Sequence, residues 1–197
     1  MKQDQLKELL LQSLEHERGG VRVYETALQC VIDDDLQEEF EKYLQQTRNH
    51  VRILLEVFAK LELDPEEASA GRAVVKSLGS ALVDAMRTAK QAGPAEAAQL
   101  VACECVVLAE IKDHADWELI SKCAEKATGE KKQVLQAAAA EVEEQEDEHL
   151  YHSKGWTREL WLQSLGLKAV LPPPEERRHV TSAIGAARAE QASEKNR

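Results

Sequence analysis

Residues 100–117 read LVACECVVLAEIKDHADW, and the apolar side chains in this stretch recur at steps of three and four. That spacing places them on one face of an α-helix and predicts a helix from residue 94 to about residue 128. The same face also carries Glu110 and His114, which interrupt it. Its apolar positions are Leu100, Cys103, Val107 and Trp117. The stretch therefore predicts a packed helix with a polar break near its middle.

The rest of the sequence predicts more long helices and few turns. Good helix formers dominate the composition, and three of the 5 Pro stand together at 172–174. Capping or helix-breaking residues occur at Asp33–Asp35, Asp64-Pro65, Gly93-Pro94, Gly129 and Gly166. The predicted helices cover residues 6–30, 36–61, 94–128 and 130–165, with a weaker helix at 66–92.

Composition and charge exclude several classes of function. With 43% hydrophobic and 31% charged residues, the chain has the composition of a globular protein rather than a disordered one. Its net charge of −11 would repel nucleic-acid phosphates and anionic membranes, so neither is an expected partner. No apolar run of 18 residues and no secretory leader are found. The 4 Cys have no CxxC spacing and are expected to be buried thiols, which favours a cytoplasmic protein.

The lengths of the links between helices predict the topology. The first and second long helices, and the third and fourth, are joined by short links and should form antiparallel hairpins. The second and third are separated by about 30 residues that are themselves helical. The sequence thus predicts an all-α, up-down four-helix bundle over residues 1–166, with a crossover helix at about 66–92. Residues 167–197 are expected to form a tail that contains a stiff spacer, Pro172–Pro174. This tail either packs on a second subunit or stays solvated.

Each of the four apolar faces is interrupted by carboxylates or imidazoles near mid-helix. An ionised carboxylate in a core is costly unless it is paired or bound to a cation, and several together repel one another. Mixed Glu and His ligands suit Fe or Mn, and a two-metal site needs about six of them. The expected ligands are Glu17, His50, Glu110, Glu143, Glu146 and His149, with Gln46 and His114 as candidates for orienting them. Glu17–His50 and Glu110–Glu143 are both 33 residues apart, which predicts two hairpins with ligands at similar depth.

A structural interpretation of these carboxylates also has to be weighed. A single Glu on an apolar face is more often a rim residue paired with a base, and the helix at 130–165 is dense in acid. The available bases are Arg18, Arg48, Arg52 and Lys112. Among the remaining polar candidates, His16 could support Glu17, and His152 could be a ligand, an orienting residue or exposed. We expect a solvated His179 in the tail, and we expect Trp117 and Trp156 to be core and interface aromatics rather than redox relays.

Short motifs in these helices resemble the ferritin-like superfamily, and most of all the YciF-type bacterial stress-response family. They comprise Glu17, the segment Tyr43–Val51, Glu110-Ile111 and Glu143-Glu144, and the resemblance covers about residues 6–165. The family pattern implies a Glu 29 residues after the first-helix Glu, where this chain has Gln46. A neutral Gln cannot supply a bridging carboxylate. Either His50 compensates, or only one metal binds, or the metal has been lost.

Two functions follow as hypotheses. The first is a ferritin-like protein with one or two Fe or Mn ions per chain, reacting with a small oxidant such as O₂ or peroxide. The resemblance implies a link to oxidative or general stress, and leaves open whether the chain is a ferroxidase or peroxidase-like enzyme. The second is a non-enzymatic helical stress protein with a degenerate metal site, which acts through dimerisation and partner binding. A homodimer is expected in either case, on the general frequency of two-fold oligomers.

Overall fold

The computed structural model describes residues 1–168, and this part of the chain is all-helical, with no strand. None of its helices is both long and apolar enough to cross a membrane. The helices are α1 (Gln3–Ala27), α2 (Asp34–Lys60), α3 (Ala70–Ala92), α4 (Ala95–Lys126) and α5 (Gly129–Ser164). The predicted long helices and the helical crossover are confirmed, although α1 ends three residues before Cys30.

Local sequence explains where the helices begin and end. The Asp33 carboxylate accepts from the Leu36 amide and caps α2. Gly166 adopts φ +68° after α5, and the next amide, of Leu167, bonds back to the carbonyl of Leu162. This is the Schellman arrangement, which favours glycine at that position. Gly129 was expected to end α4; instead it opens α5 with φ +63°, because α4 already ends at Lys126.

Four of the helices pack as a ring in the order α1, α2, α5, α4. Two apolar clusters fix their directions. One cluster combines the N-terminal halves of α1 and α5 with the C-terminal halves of α2 and α4, and the other combines the opposite halves. Each helix is therefore antiparallel to both of its neighbours in the ring and parallel to the helix diagonally across.

The crossover helix α3 packs outside the ring against α1 and α4. It runs parallel to α1, because Gly71 lies beside Gln12 near its start and the Cys30 thiol contacts the carbonyl of Met86 near its end. Midway, a Cβ on Gly79 would lie 3.6 Å from the Gly19 Cα, so the two helices approach closely there. Because α3 carries the chain back along the bundle, α4 starts at the same end as α2.

A polar layer separates the two apolar clusters in the ring. Leu10, Leu54 and Trp117 belong to the cluster on one side, and Tyr24 and Phe40 to the cluster on the other. The polar side chains between them come from the middle of all four ring helices. Most of the predicted tail, residues 169–197 with His179, lies outside the described residues.

Candidate metal centre

Five ionisable side chains meet in the polar layer, and each is at most 3% exposed. α1, α2 and α4 supply one each, and α5 supplies two that are three residues apart and share a helical face. The five residues are Glu17, His50, Glu110, Glu146 and His149.

They form two groups that share one carboxylate. In the first group, His50 Nδ1 lies 3.4 Å from Glu17 Oε1 and 3.1 Å from Glu146 Oε1. In the second, His149 Nδ1 lies 3.5 Å from Glu110 Oε2 and 3.5 Å from Glu146 Oε1. In each group the three donor atoms lie within 4.8 Å of one another, and each could hold a metal ion. Glu146 belongs to both groups, so one carboxylate would serve both positions.

Two glutamines fix the orientation of the two imidazoles. His50 Nε2 donates to Gln145 Oε1 at 2.9 Å, and His149 Nε2 donates to Gln46 Oε1 at 2.9 Å. Gln46 and His50 lie on α2, and Gln145 and His149 lie on α5, so each helix holds the imidazole of the other. A proton on Nε2 leaves Nδ1 as the atom that faces the carboxylates, as metal-ligating histidines require.

Two aromatic residues hold the terminal carboxylates. The Trp117 indole donates to Glu17 Oε1 at 2.7 Å, and the Tyr24 hydroxyl donates to Glu110 Oε1 at 2.8 Å. Each carboxylate therefore has one oxygen held in place, while its other oxygen, Oε2, makes no hydrogen bond. Trp117 was predicted to be a core residue; it is buried in the core and also positions a carboxylate.

The electrostatics of the layer centre on the two imidazoles. Burial alone would lower the pKa of His50, but Glu17 and Glu146 outweigh it and raise this pKa to about 11. Burial likewise opposes protonation of His149, while Glu110 and Glu146 raise its pKa to about 9. The pKa of Glu146 is lowered because both imidazoles outweigh the effect of its burial. In the absence of metal, a proton on the Nδ1 atom of each imidazole can therefore supply positive charge next to the carboxylates.

Six buried atoms of the layer make no hydrogen bond, and their chemistry suits divalent cations. Buried atoms without a hydrogen-bond partner are both Glu146 oxygens, the Nδ1 atoms of both imidazoles, Glu17 Oε2 and Glu110 Oε2. All are nitrogen or carboxylate-oxygen donors, which suit Fe and Mn. Four of these atoms lie 3.1–3.5 Å from an oppositely charged group, whereas Glu146 Oε2 and Glu17 Oε2 have no such contact among the described residues. An unsatisfied buried polar atom costs about 1–3 kcal/mol, and bound cations would remove that cost.

Several predicted residues lie elsewhere. Glu143, one turn before Glu146, is exposed and takes no part in the layer. His114 is half-buried and bonds Asp147 through Nε2 at 2.8 Å. His16 bonds the carbonyl of Ala109 at 3.0 Å. The equal 33-residue spacings therefore do not relate equivalent residues, because Glu143 faces outward.

His152 belongs to a separate buried network between α2 and α5. Its Nδ1 lies 2.9 Å from Glu39 Oε1 and 2.8 Å from the Tyr43 hydroxyl. The Trp156 indole donates to the other oxygen of Glu39 at 2.7 Å. Burial would raise the pKa of Glu39, but these donors lower it. The Tyr43 ring also packs against the His149 ring at 4.3 Å, so this network adjoins the polar layer.

None of the basic residues considered as partners pairs with a carboxylate of the layer. Each bonds an acid closer to the surface. The pairs are Arg18–Glu66, Arg48–Glu25, Arg52–Glu56, Arg52–Glu141 and Lys112–Asp116. Within residues 1–168, the carboxylates of the layer therefore form ion pairs with the two imidazoles and not with these bases.

The family resemblance implies a carboxylate at Gln46, whereas the spacing of the two ligand candidates on α5 indicates position 47. Glu146 and His149 are three residues apart on α5, and the equivalent spacing before His50 falls on Thr47. The Thr47 side chain is buried, and its hydroxyl donates to the carbonyl of Tyr43. Gln46 instead orients an imidazole, which is the role for which it was a candidate.

Gln145 was missed, although the sequence holds a signal for it. A Gln precedes a His by four residues on both α2 and α5, as Gln46 with His50 and Gln145 with His149. By its spacing Tyr24 is an apolar-face residue of α1, and nothing local in the sequence marks its hydroxyl as a partner of Glu110.

Fold and site together define a helical-bundle protein with a buried carboxylate–histidine centre that could hold metal ions. Comparison with known protein families, with curated proteins and with solved structures found no match for the chain.

Proposed function

We propose that the chain is a ferritin-like metalloprotein that holds two Fe or Mn ions between its four long helices. The observation that carries the proposal is the pair of three-residue groups that share Glu146, in a layer buried between two apolar clusters. The ring order and the helical crossover support it, because ferritin-like bundles use one long crossover and build metal sites from facing helices.

A bound pair of such ions would supply electron exchange with a small oxidant such as O₂ or peroxide. The chain's own residues would prepare the site for it. Glu146 faces both positions, and the paired Gln side chains keep each Nδ1 directed inward. The apolar clusters above and below keep bulk water away, which strengthens every charge interaction in the layer. A stress role, a cytoplasmic location and a homodimer belong to this proposal as well.

One observation favours the alternative, a helical stress protein whose metal site is degenerate. The raised pKa values of His50 and His149 mean that protons on the two imidazoles can balance two of the three carboxylate charges, and burial raises the pKa of Glu17, which favours a proton on the third. Thr47 also removes one carboxylate from the expected set. In that case the layer would be an imidazolium–carboxylate network with a structural role, and function would depend on dimerisation and partner contacts.

Metal content distinguishes the two. The full chain, without a His-tag, is expressed in medium supplemented with iron and manganese, desalted, and analysed by plasma mass spectrometry. We expect about two ions of Fe or Mn per chain for the dinuclear centre. Retention of no Fe or Mn by a fully helical protein would refute the proposal and favour the alternative.

A matched pair of variants assigns the metal to the layer. Glu146→Gln removes the shared carboxylate and should abolish retention of both ions. Glu143→Gln removes an exposed carboxylate one turn away on the same helix and should leave retention unchanged. Equal loss in both variants would mean that acidic surface, not the buried layer, binds the metal. Stopped-flow absorbance of Fe(II)-loaded protein mixed with O₂ or with peroxide would then identify the preferred oxidant.

A further inference from the structure

Asp113 on α4 is a buried carboxylate that the two three-residue groups do not include. It is 4% exposed, and its Oδ1 makes no hydrogen bond. Glu110, Asp113 and Trp117 follow one another at steps of three and four, so they share one face of α4. Glu110 belongs to the layer and the Trp117 indole donates to Glu17, so Asp113 lies on α4 between a carboxylate of the layer and a residue that contacts another one.

The surroundings of Asp113 are negative. Burial raises its pKa well above the ordinary value, and the carboxylates of Glu146, Glu17 and Glu110 raise it further. Lys112 and Asp116, its neighbours on α4, pair with each other. A carboxylate among three others either stays protonated or is neutralised by a cation.

Charge balance gives this residue a role. Glu17, Glu110 and Glu146 carry three negative charges, and two divalent cations carry four positive ones. Bundles of this kind reach balance with four carboxylates, one of them three residues before the His on the second helix. That position holds Thr47 here. A net charge left in a buried layer is costly, and Asp113 is a buried carboxylate with an unbonded oxygen on the face of α4 that carries Glu110.

We propose that Asp113 is the fourth carboxylate of the centre and ligates the ion held by Glu17 and His50. The inference rests on the proposed function. It gives one position four side-chain ligands, counting the shared Glu146, and the other position three. Asp113 lies outside both groups in the structure, so the proposal requires its side chain to rotate about χ1 and χ2. The two positions should therefore differ in affinity, with the first ion entering at Glu17 and His50.

The test is a titration of the full chain with Mn(II), in which the free ion is counted by its EPR signal. Asp113→Asn removes the charge at nearly constant shape, and Asp113→Ser removes it with a smaller side chain. Asp116→Asn is the matched control, because Asp116 is a buried aspartate on the same helix that already has a partner. The increase in Tm on adding Mn(II) gives a second readout that is independent of any activity.

We expect the wild type to bind two ions with unequal affinity. Asp113→Asn and Asp113→Ser should each weaken the tighter ion at least tenfold, with a smaller rise in Tm, and Asp116→Asn should titrate like the wild type. If one Asp113 variant does not fold, the other decides. Wild-type affinities in a folded Asp113 variant would overturn the inference and leave the proposed function standing. No binding by the wild type would overturn both.

Discussion

Replacement of Gln145 by Leu tests whether the paired glutamines fix the imidazoles. Gln145 Oε1 accepts from His50 Nε2, and the side chain of His50 is 0% exposed. Leu offers no acceptor, so the Nε2 proton would be buried without a partner, at a cost of about 1–3 kcal/mol. The cost is avoided if His50 changes tautomer and its proton moves from Nε2 to Nδ1, but a proton on Nδ1 blocks metal binding there.

We therefore expect Gln145→Leu to weaken the ion at Glu17 and His50 by about 10–100-fold, as removal of the partners that orient metal ligands commonly does. The ion at the other position should change little, because His149 is held by Gln46. Gln46→Leu should give the reverse pattern.

Competition titration with Mn(II) against a chelator measures the two affinities. Nitrogen-15 NMR of the imidazoles reports which ring nitrogen carries the proton. Gln136→Leu is the matched control, since Gln136 is an exposed glutamine on the same helix. Affinities within twofold of the wild type in Gln145→Leu, with the Nε2 proton retained, would refute the reasoning about orientation.

Four further predictions concern metal affinity against pH, stability against pH without metal, the exposed Glu143 and the core residue Leu54. The affinity for each metal ion should rise by up to tenfold per pH unit between pH 6 and about 8. Each ion displaces a proton from His50 or His149, and the pKa values of these residues are raised to about 11 and about 9. Calorimetry in buffers of different ionisation enthalpy would detect this release, and a flat pH profile would contradict it. Without metal the sign reverses. The stability from the two imidazoliums is full below pH 6.5 and is lost as pH rises through about 9 for His149 and about 11 for His50, so Tm should fall from pH 6.5 to about 11. Glu143→Gln should change the free energy of unfolding, measured by urea denaturation, by less than about 0.5 kcal/mol, as is usual at exposed sites. A larger loss would mean that this residue has a structural role. Leu54→Ala should lower the free energy of unfolding by about 2–5 kcal/mol in the same assay, because Leu54 is 0% exposed in the apolar cluster that also contains Leu10 and Trp117. A loss under about 1 kcal/mol would mean that the cluster repacks.

The sequence was sufficient for the helices because their signals are local. Apolar side chains at steps of three and four depend only on helix geometry, and that geometry also identified Glu17, Glu110 and His149 as polar interruptions of apolar faces. Capping residues were equally readable, as at Asp33. Glu143 marks the limit of prediction from helical spacing. It lies three residues from Glu146, yet it faces solvent, because a helix so rich in acid offers a carboxylate at every phase.

The partners of these residues depend on contacts between distant parts of the chain, and only the tertiary structure decided them. His50 meets Gln145 across 95 residues, and Tyr24 meets Glu110 across 86. Asp113 was not selected from the sequence, since its polar surroundings come from α1 and α5 as well as from its own helix. The sequence by itself determined which faces are buried and which of them are polar. The packing of four helices around one layer determined which polar atoms meet, because hydrogen bonds and charge pairing depend on distances that helical spacing alone does not set.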